Sequence, residues 1–213
     1  IPGVGTIVVN TDGSYTFAPA LNYNGIVTDI SYTANDANGG TDTGLIKITV
    51  TPVNDAPYAT NDFAITSEDV PVSGNVLIND SDVDGNPIVV SAFAVDGQLI
   101  DVVSGTGGTA LIAGVGTIQM NVNGSFIFTP LANYNGTVPS ITYSIFDGEL
   151  PKPAILSIIV SPVNDSPVAV DNPYIATEDT PFTANVLTND TDPDLSTSLT
   201  VTQFTINNIS YNT

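Results

Sequence analysis

A stretch of 33 residues occurs twice in this chain, at a spacing of 110. Pro52 to Asp84 reads PVNDAPYATNDFAITSEDVPVSGNVLINDSDVD, Pro162 to Asp194 reads PVNDSPVAVDNPYIATEDTPFTANVLTNDTDPD, and 17 positions agree without a gap. A second pair, GVGTIVVNTDGSYTFAPALNYNG at Gly3 to Gly25 and GVGTIQMNVNGSFIFTPLANYNG at Gly114 to Gly136, agrees at 14 of 23 positions. Self-similarity at a fixed period of this length restricts the chain to a tandem array of similar units. The acidic, proline-containing stretch is then the joint between units.

Within a unit the punctuation is that of β-structure. Asp12-Gly13 and Asn123-Gly124 each sit between alternating apolar runs, the strongest short-range hairpin signal, which predicts a tight turn with positive φ at both central residues. Asn22 to Gly25 and Asn133 to Gly136, both NYNG, read as turns. Period-two strands follow at Ile30, Tyr32, Ala34 and at Ile141, Tyr143, Ile145, then at Ile46, Ile48, Val50 and at Leu156, Ile158, Val160. Further strands are expected over Val70 to Ile78, Pro87 to Val95, Pro181 to Leu187 and Leu199 to Ile206. No segment carries helical periodicity with caps. The expected fold is all-β: tandem Greek-key β-sandwich domains joined head-to-tail by acidic, proline-containing linkers. The expected division is the C-terminal half of one repeat at 1–57, a complete repeat at 58–167 and the N-terminal half of the next at 168–213. The chain starts at Ile1 without a methionine and is expected to be a piece of a longer array. Each half repeat is then completed either by sequence outside this piece or by another copy of the chain, head-to-tail, through strand addition.

Twenty-two Asp and Glu stand against two Lys and Arg, for a net charge of −20, and all but Glu68, Glu149 and Glu178 of the acids are Asp. Nucleic acid and anionic membrane need basic patches, so neither is an expected partner. No apolar run is long enough for direct membrane insertion. There is no Cys and no His, which removes disulfides, thiol nucleophiles, ordinary zinc sites and the usual general base. An enzyme is not expected. Clustered Asp instead suggests oxygen ligands for a hard cation, Ca²⁺, which takes six to eight of them. The competing reading is an acidic coat that maintains solubility.

The joint carries the ligand pattern. Asp80-Ser81-Asp82-Val83-Asp84-Gly85 is DxDxDG, in which carboxylates at alternate positions of a tight loop converge. Its repeat, Asp190-Thr191-Asp192-Pro193-Asp194-Leu195, lacks the glycine. Neither has the downstream Glu or flanking helices of a helix–loop–helix site, so other segments must contribute. The candidates are Asn54, Asp55, Glu68 and Asp69 for the first joint and Asn164, Asp165, Glu178 and Asp179 for the second. Asp36 and Asp147, each ahead of a unit's last strand, are within possible reach of the same junctions. Each acid is also an ordinary turn residue.

The run VNDAP…SEDVPVSGNVLINDSDVDG, with FAPALNYNG and ITYSIFDG, resembles the cadherin-like and immunoglobulin-like tandem repeats of very large bacterial surface and secreted adhesins. The resemblance covers essentially the whole chain. It implies an extracellular, cell-surface or secreted location and a calcium-rigidified structural or adhesive role, with neighbouring repeats as partners. It makes Asn54 and Asp55 linker ligands and Asp82 and Asp84 a DxD segment, although Thr51-Pro52-Val53 stands where the cadherin linker has its first Asp. The alternative is a module that binds carbohydrate, such as surface polysaccharide, through Tyr23 and Tyr134. A Lys–Asn isopeptide crosslink through Lys47 or Lys152 is disfavoured, because Lys47 lies opposite the apolar stripe.

Overall fold

The computed structural model describes residues 1–36, 38–102, 106–194 and 198–213; Leu195, in the place of the loop glycine, lies outside them. Among the described residues every regular element is a strand, and no helix is long and apolar enough to cross a membrane.

The first six strands are β1 (Gly5–Val9), β2 (Tyr15–Pro19), β3 (Gly25–Ile26), β4 (Ile30–Asn35), β5 (Thr41–Ile46) and β6 (Thr49–Val50). They form three two-stranded pairs: β1 with β2, β3 with β6, β4 with β5. The β1–β2 turn is one residue wider than the Asp-Gly signal predicts. Asn10 N–H donates to Ser14 O at 2.8 Å and Gly13 N–H to Asn10 O at 3.0 Å. Only Gly13 (φ 87°) has positive φ, as in a three-residue loop built on a type I turn with a bulge. Asp12 explains the choice. Its Oδ1 accepts from Ser14 N–H at 3.0 Å and Ser14 Oγ at 2.7 Å, a local bond that fixes the carboxylate inside the turn. Asn123 makes the same two bonds to Ser125.

Ten strands follow: β7 (Asp62–Ser67), β8 (Val72–Asn75), β9 (Val89–Val95), β10 (Gln98–Asp101), β11 (Gly108–Ile112), β12 (Gly116–Met120), β13 (Ser125–Pro130), β14 (Gly136–Thr137), β15 (Ile141–Phe146) and β16 (Pro151–Ser161). They build a two-layer sandwich. One sheet runs β10-β9-β15-β16, with β14 and β7 also on β16, and the other runs β11-β12-β13-β8. Strict alternation in β11, β12, β13 and β15 supplies the inner faces. Phe93, Tyr143, Ile145, Leu156 and Ile158 of one sheet pack against Ile112, Ile118, Met120, Phe126 and Phe128 of the other. Burying each such side chain contributes about 1.5–3 kcal/mol. The sequence reading missed β10, β11, β14 and, with the largest consequence for the site, β7. It pairs with β16 in parallel, Asp62↔Leu156 through Ser67↔Ser161.

Among the described residues beyond β16, the strands are β17 (Gln203–Ile206) and β18 (Ile209–Asn212), which form a hairpin. The strand expected over Pro181–Leu187 is absent. Its counterpart, β8, depends on β13, some 50 residues onward, and the described residues after 168 include no such partner. What does form there is the hairpin and an isolated bridge between Val168 and Thr191. The consequence is exposed apolar surface at both ends: Val8, Tyr15 and Leu45 in the first segment, Phe182, Phe204 and Tyr211 in the last.

Candidate metal centre at the joint

The parallel β7–β16 pair determines where the acids meet. Both strands run toward the same end of the sandwich, so the residue after β7, Glu68, and the linker after β16 emerge side by side. Glu68 N–H donates to Ser161 O at 2.9 Å. Its buried carboxylate accepts Val163 N–H on Oε1 and Asn135 Nδ2 at 3.1 Å on Oε2. Asp69, with φ 61°, accepts Asn133 N–H at 3.0 Å. Glu68 and Asp69 therefore belong to the 164–194 joint. Their assignment to the 54–84 joint, made on proximity in sequence, is corrected by geometry.

On the other side of that joint, Asp165 N–H donates to Asp194 Oδ2 at 2.8 Å and Asp194 N–H to Asp192 Oδ1 at 2.8 Å. Asn164 Nδ2 donates to Asp165 O at 2.7 Å. Glu68, Asp165 and Asp194 each bring a carboxylate oxygen to within 4.8 Å of the other two. Asp165 Oδ2 is buried and has no hydrogen-bond partner. Lost hydration raises the Asp165 pKa, and the charges of Asp194, Glu68, Asp69 and Asp192 raise it further. Three carboxylates converging from three segments, one with an orphaned oxygen, form a donor set suited to a hard cation.

The 54–86 joint repeats the framework. Asp55 N–H donates to Asp84 Oδ2 at 2.8 Å and Asp84 N–H to Asp82 Oδ1 at 2.9 Å. Gly85 supplies the loop's positive φ, 77°, and Asp82 Oδ2 is buried without a partner. Asn54 bridges two segments: its Oδ1 accepts Asn86 Nδ2 and its Nδ2 donates to Asp147 Oδ2 at 2.8 Å. Asp147 also accepts Leu150 N–H at 2.6 Å and Glu149 N–H at 2.7 Å. The Leu150 bond first, then Asn54, lower its pKa. Asp147 thus reaches the joint ahead of its own unit, not the one into which its last strand leads. Asp36 does not reach the 54–86 joint. It caps the β4–β5 loop, accepting Asn38 N–H at 2.8 Å and Gly40 N–H at 2.9 Å, at the far end of the strands that lead there. In place of a Glu-Asp pair, this joint has a cavity of about 200 Å³ lined by Asn22, Tyr23, Asn24, Asp55 and Asp84.

Asp80 faces inward rather than into the joint. Its Oδ1 accepts Thr60 N–H at 2.7 Å, and with Asp62 it flanks the fully buried Tyr143. The Tyr143 hydroxyl donates to Asp62 Oδ2 at 2.6 Å and also lies 3.0 Å from Thr60 O. Burial raises the pKa of Asp62 and Asp80 and, with the two acids beside it, that of the phenol. Asp190 occupies the same position in the last segment, accepting Val170 N–H at 2.8 Å. Glu178 and Asp179 stand exposed where the preceding unit has Glu68 and Asp69; Asp179 repeats the positive φ, 58°. The second joint is filled by Glu68 instead. Sequence reasoning missed Asn133, Asn135 and Asn86; the identity of NYNG in both units was the available signal.

The family models agree with an all-β, cadherin-like architecture. Residues 54–162 match the bacterial cadherin-like domain, residues 1–51 a cadherin-like domain and residues 164–213 a bacterial Ig domain. A calcium-binding lectin, RapA2 of Rhizobium johnstonii, is 29% identical over 158 residues, 68% of this chain and 66% of its own length. Among solved structures, an endo-fucoidan hydrolase of glycoside hydrolase family 107, MfFcnA4, aligns at 14% identity with a TM-score of 0.34, over 79% of this chain and 25% of that one. With the first match spanning just over half its residues, the chain belongs to the bacterial cadherin-like domain family.

Proposed function

We propose that this chain is a structural and adhesive module of an extracellular, cell-surface or secreted protein, with repeats 1–57, 58–167 and 168–213 in series and Ca²⁺ rigidifying the joints between them. The observation that carries the reading is the convergence of Glu68, Asp165 and Asp194 within 4.8 Å around a buried, unpartnered Asp165 oxygen. Glu68 and Asp69 come from one unit, Asn164 and Asp165 from the linker, Asp192 and Asp194 from the next. An ion held by all three offsets their mutual repulsion and makes bending of the joint costly. Asn54, Asp55, Asp82 and Asp84 serve the first joint in the same way. Extracellular sites of this kind bind with Kd of about 10⁻⁴–10⁻³ M.

The test is thermal unfolding in excess EDTA and in millimolar Ca²⁺. A ligand that binds only the folded state adds about 2.7 kcal/mol per site at a hundredfold excess over Kd. A calcium-dependent rise in Tm that Asp165→Ala and Asp194→Ala abolish is expected; an equal Tm in both buffers refutes the reading.

Two further readings have specific support. The open face of the first segment, a cavity of about 810 Å³ reaching Tyr15, Tyr32 and Leu45, and the exposed Phe182, Phe204 and Tyr211 of the last correspond to opposite halves of the central sandwich. Strand complementation between copies therefore gives a head-to-tail fibre. Filaments from the purified chain support it, and strictly monomeric particles overturn it. A lectin relative raises binding of surface polysaccharide. Against an aromatic platform, the hydroxyls of Tyr23 and Tyr134 are tied to Ile26 O and Thr137 O, each at 2.9 Å.

A further inference from the structure

The NYNG loop does more than reverse the chain. Asn135 Nδ2 holds one oxygen of Glu68 at 3.1 Å and Asn133 N–H holds one oxygen of Asp69 at 3.0 Å, so one loop grips both members of the acidic pair. The grip is preformed. Asn133 sits at φ 58°, as Asn22 does at 59° in the other NYNG; asparagine accepts this left-handed region at less strain than most residues. Tyr134 then locks the loop by donating to Thr137 O. In the first unit Asn22, Tyr23 and Asn24 border Asp55 and Asp84, so the loop stands at both joints although only one holds a Glu-Asp pair.

We infer that the NYNG loop is the positioning element of the joint: Asn135 orients the Glu68 carboxylate, and Asn133 N–H orients Asp69, for the cation that Asp165 and Asp194 share. The inference rests on the calcium reading above. The loop follows directly from β13, so the unit's own core hairpin dictates how its acids face the linker. The amide donor matters because Glu68 is buried among like charges. Without it the carboxylate turns away from Asp165, and the ion loses a ligand held in place. Groups that act on a metal ligand in this way typically change affinity by about 10–100-fold.

The experiment is calcium titration by calorimetry of the full chain and of Asn135→Ala, with unfolding of each in EDTA. Asn135 is exposed, so the variant is expected to fold, and circular dichroism checks that it does. The expected result is affinity at the Asp165 joint weakened about tenfold or more, with an unchanged Tm in EDTA. A merely structural role lowers Tm in EDTA and leaves Kd as it was, which overturns the inference. Asn135→Ser, which keeps a short donor, is expected to fall between; affinity equal to wild type in both variants also overturns it. A wild-type chain that binds no calcium refutes the joint reading itself, and this inference with it. Calcium binding with equal affinity in both chains refutes only the positioning role.

Discussion

Tyr143→Phe tests the packing at the top of the central sandwich. Tyr143 is fully buried, and its hydroxyl donates at 2.6 Å to Asp62 Oδ2, a short charge-assisted bond. Phenylalanine fills the same space without a cavity, so the change isolates the hydroxyl. Hydrogen bonds to a charged group contribute about 1.5–3 kcal/mol. Asp62 is only half-buried, so water can replace the lost donor, which places the expected loss at the lower end, about 1.5–2 kcal/mol. At roughly 4 °C per kcal/mol for a unit of this size, the main transition falls by about 6–8 °C. The assay is far-UV circular dichroism of the full chain at neutral pH in EDTA, with urea unfolding alongside. Tyr32 occupies the equivalent position in the first segment but is 46% exposed, so Tyr32→Phe is the control and is expected to change stability by less than about 0.5 kcal/mol. Within a double-mutant cycle, Asp62→Asn removes most of the effect of Tyr143→Phe. A Tyr143→Phe transition within about 1 °C of wild type would falsify the charge-assisted bond, because the shift expected from it is several times larger.

Three other outcomes are expected. Burial raises Asp62 and Asp80, so their contribution to stability is complete below the unfolded carboxylate value and is lost as pH rises through the folded one; Tm in EDTA should climb as pH falls through the raised folded value toward the ordinary carboxylate range, and Asp62→Asn should flatten the climb. Asp147, lowered by its backbone bonds, acts oppositely, but only as pH falls through its own lower value. Gly116→Ala should cost about 2–4 kcal/mol in urea unfolding, since Gly116 lies at φ 155° and a Cβ there would stand 2.3 Å from Thr129 O, a backbone atom that cannot turn aside. Calcium titration should resolve two classes of site, a tighter one removed by Glu68→Gln and a weaker one removed by Asp55→Asn; a single class lost equally in both variants would sink the distinction drawn between the joints.

What was legible in the sequence was what local chemistry decides. Asp12-Gly13 and Asn123-Gly124 announce their hairpins because the turn's own side chain fixes them, even though the loop proved one residue wider. The alternation of Ile141, Tyr143 and Ile145 against Leu156, Ile158 and Val160 announces a buried face, and those residues line the core. β7 stayed hidden for two physical reasons. Its large residues, Phe63 and Ile65, point outward at 63% and 59% exposure while Ala64 faces in, so its pattern does not read as half-buried. Its partner is a parallel strand 94 residues away, and no local signal encodes that.

Missing β7 is also why the joint was wired to the wrong acids. Glu68 lies 14 residues after Asn54 and 97 before Asp165, so sequence distance favours the nearer linker. A parallel register of Ser67 on Ser161 reverses that preference, because it carries the residue after β7 to the end of the sandwich where β16 leaves. The acids of a joint are thus supplied by the unit before it, the linker and the unit after it. Each unit offers its Glu-Asp pair forward through β7 and its DxD and Asp147-type loop backward. The same polarity explains why a Glu-Asp pair stands at the 164–194 joint, where a preceding β7 is part of the structure, and why Asn22 and Asn24 border a cavity at the 54–86 joint. An isolated sandwich would carry half of each of two candidate sites and complete neither, so the cation binding proposed for these residues calls for units in series.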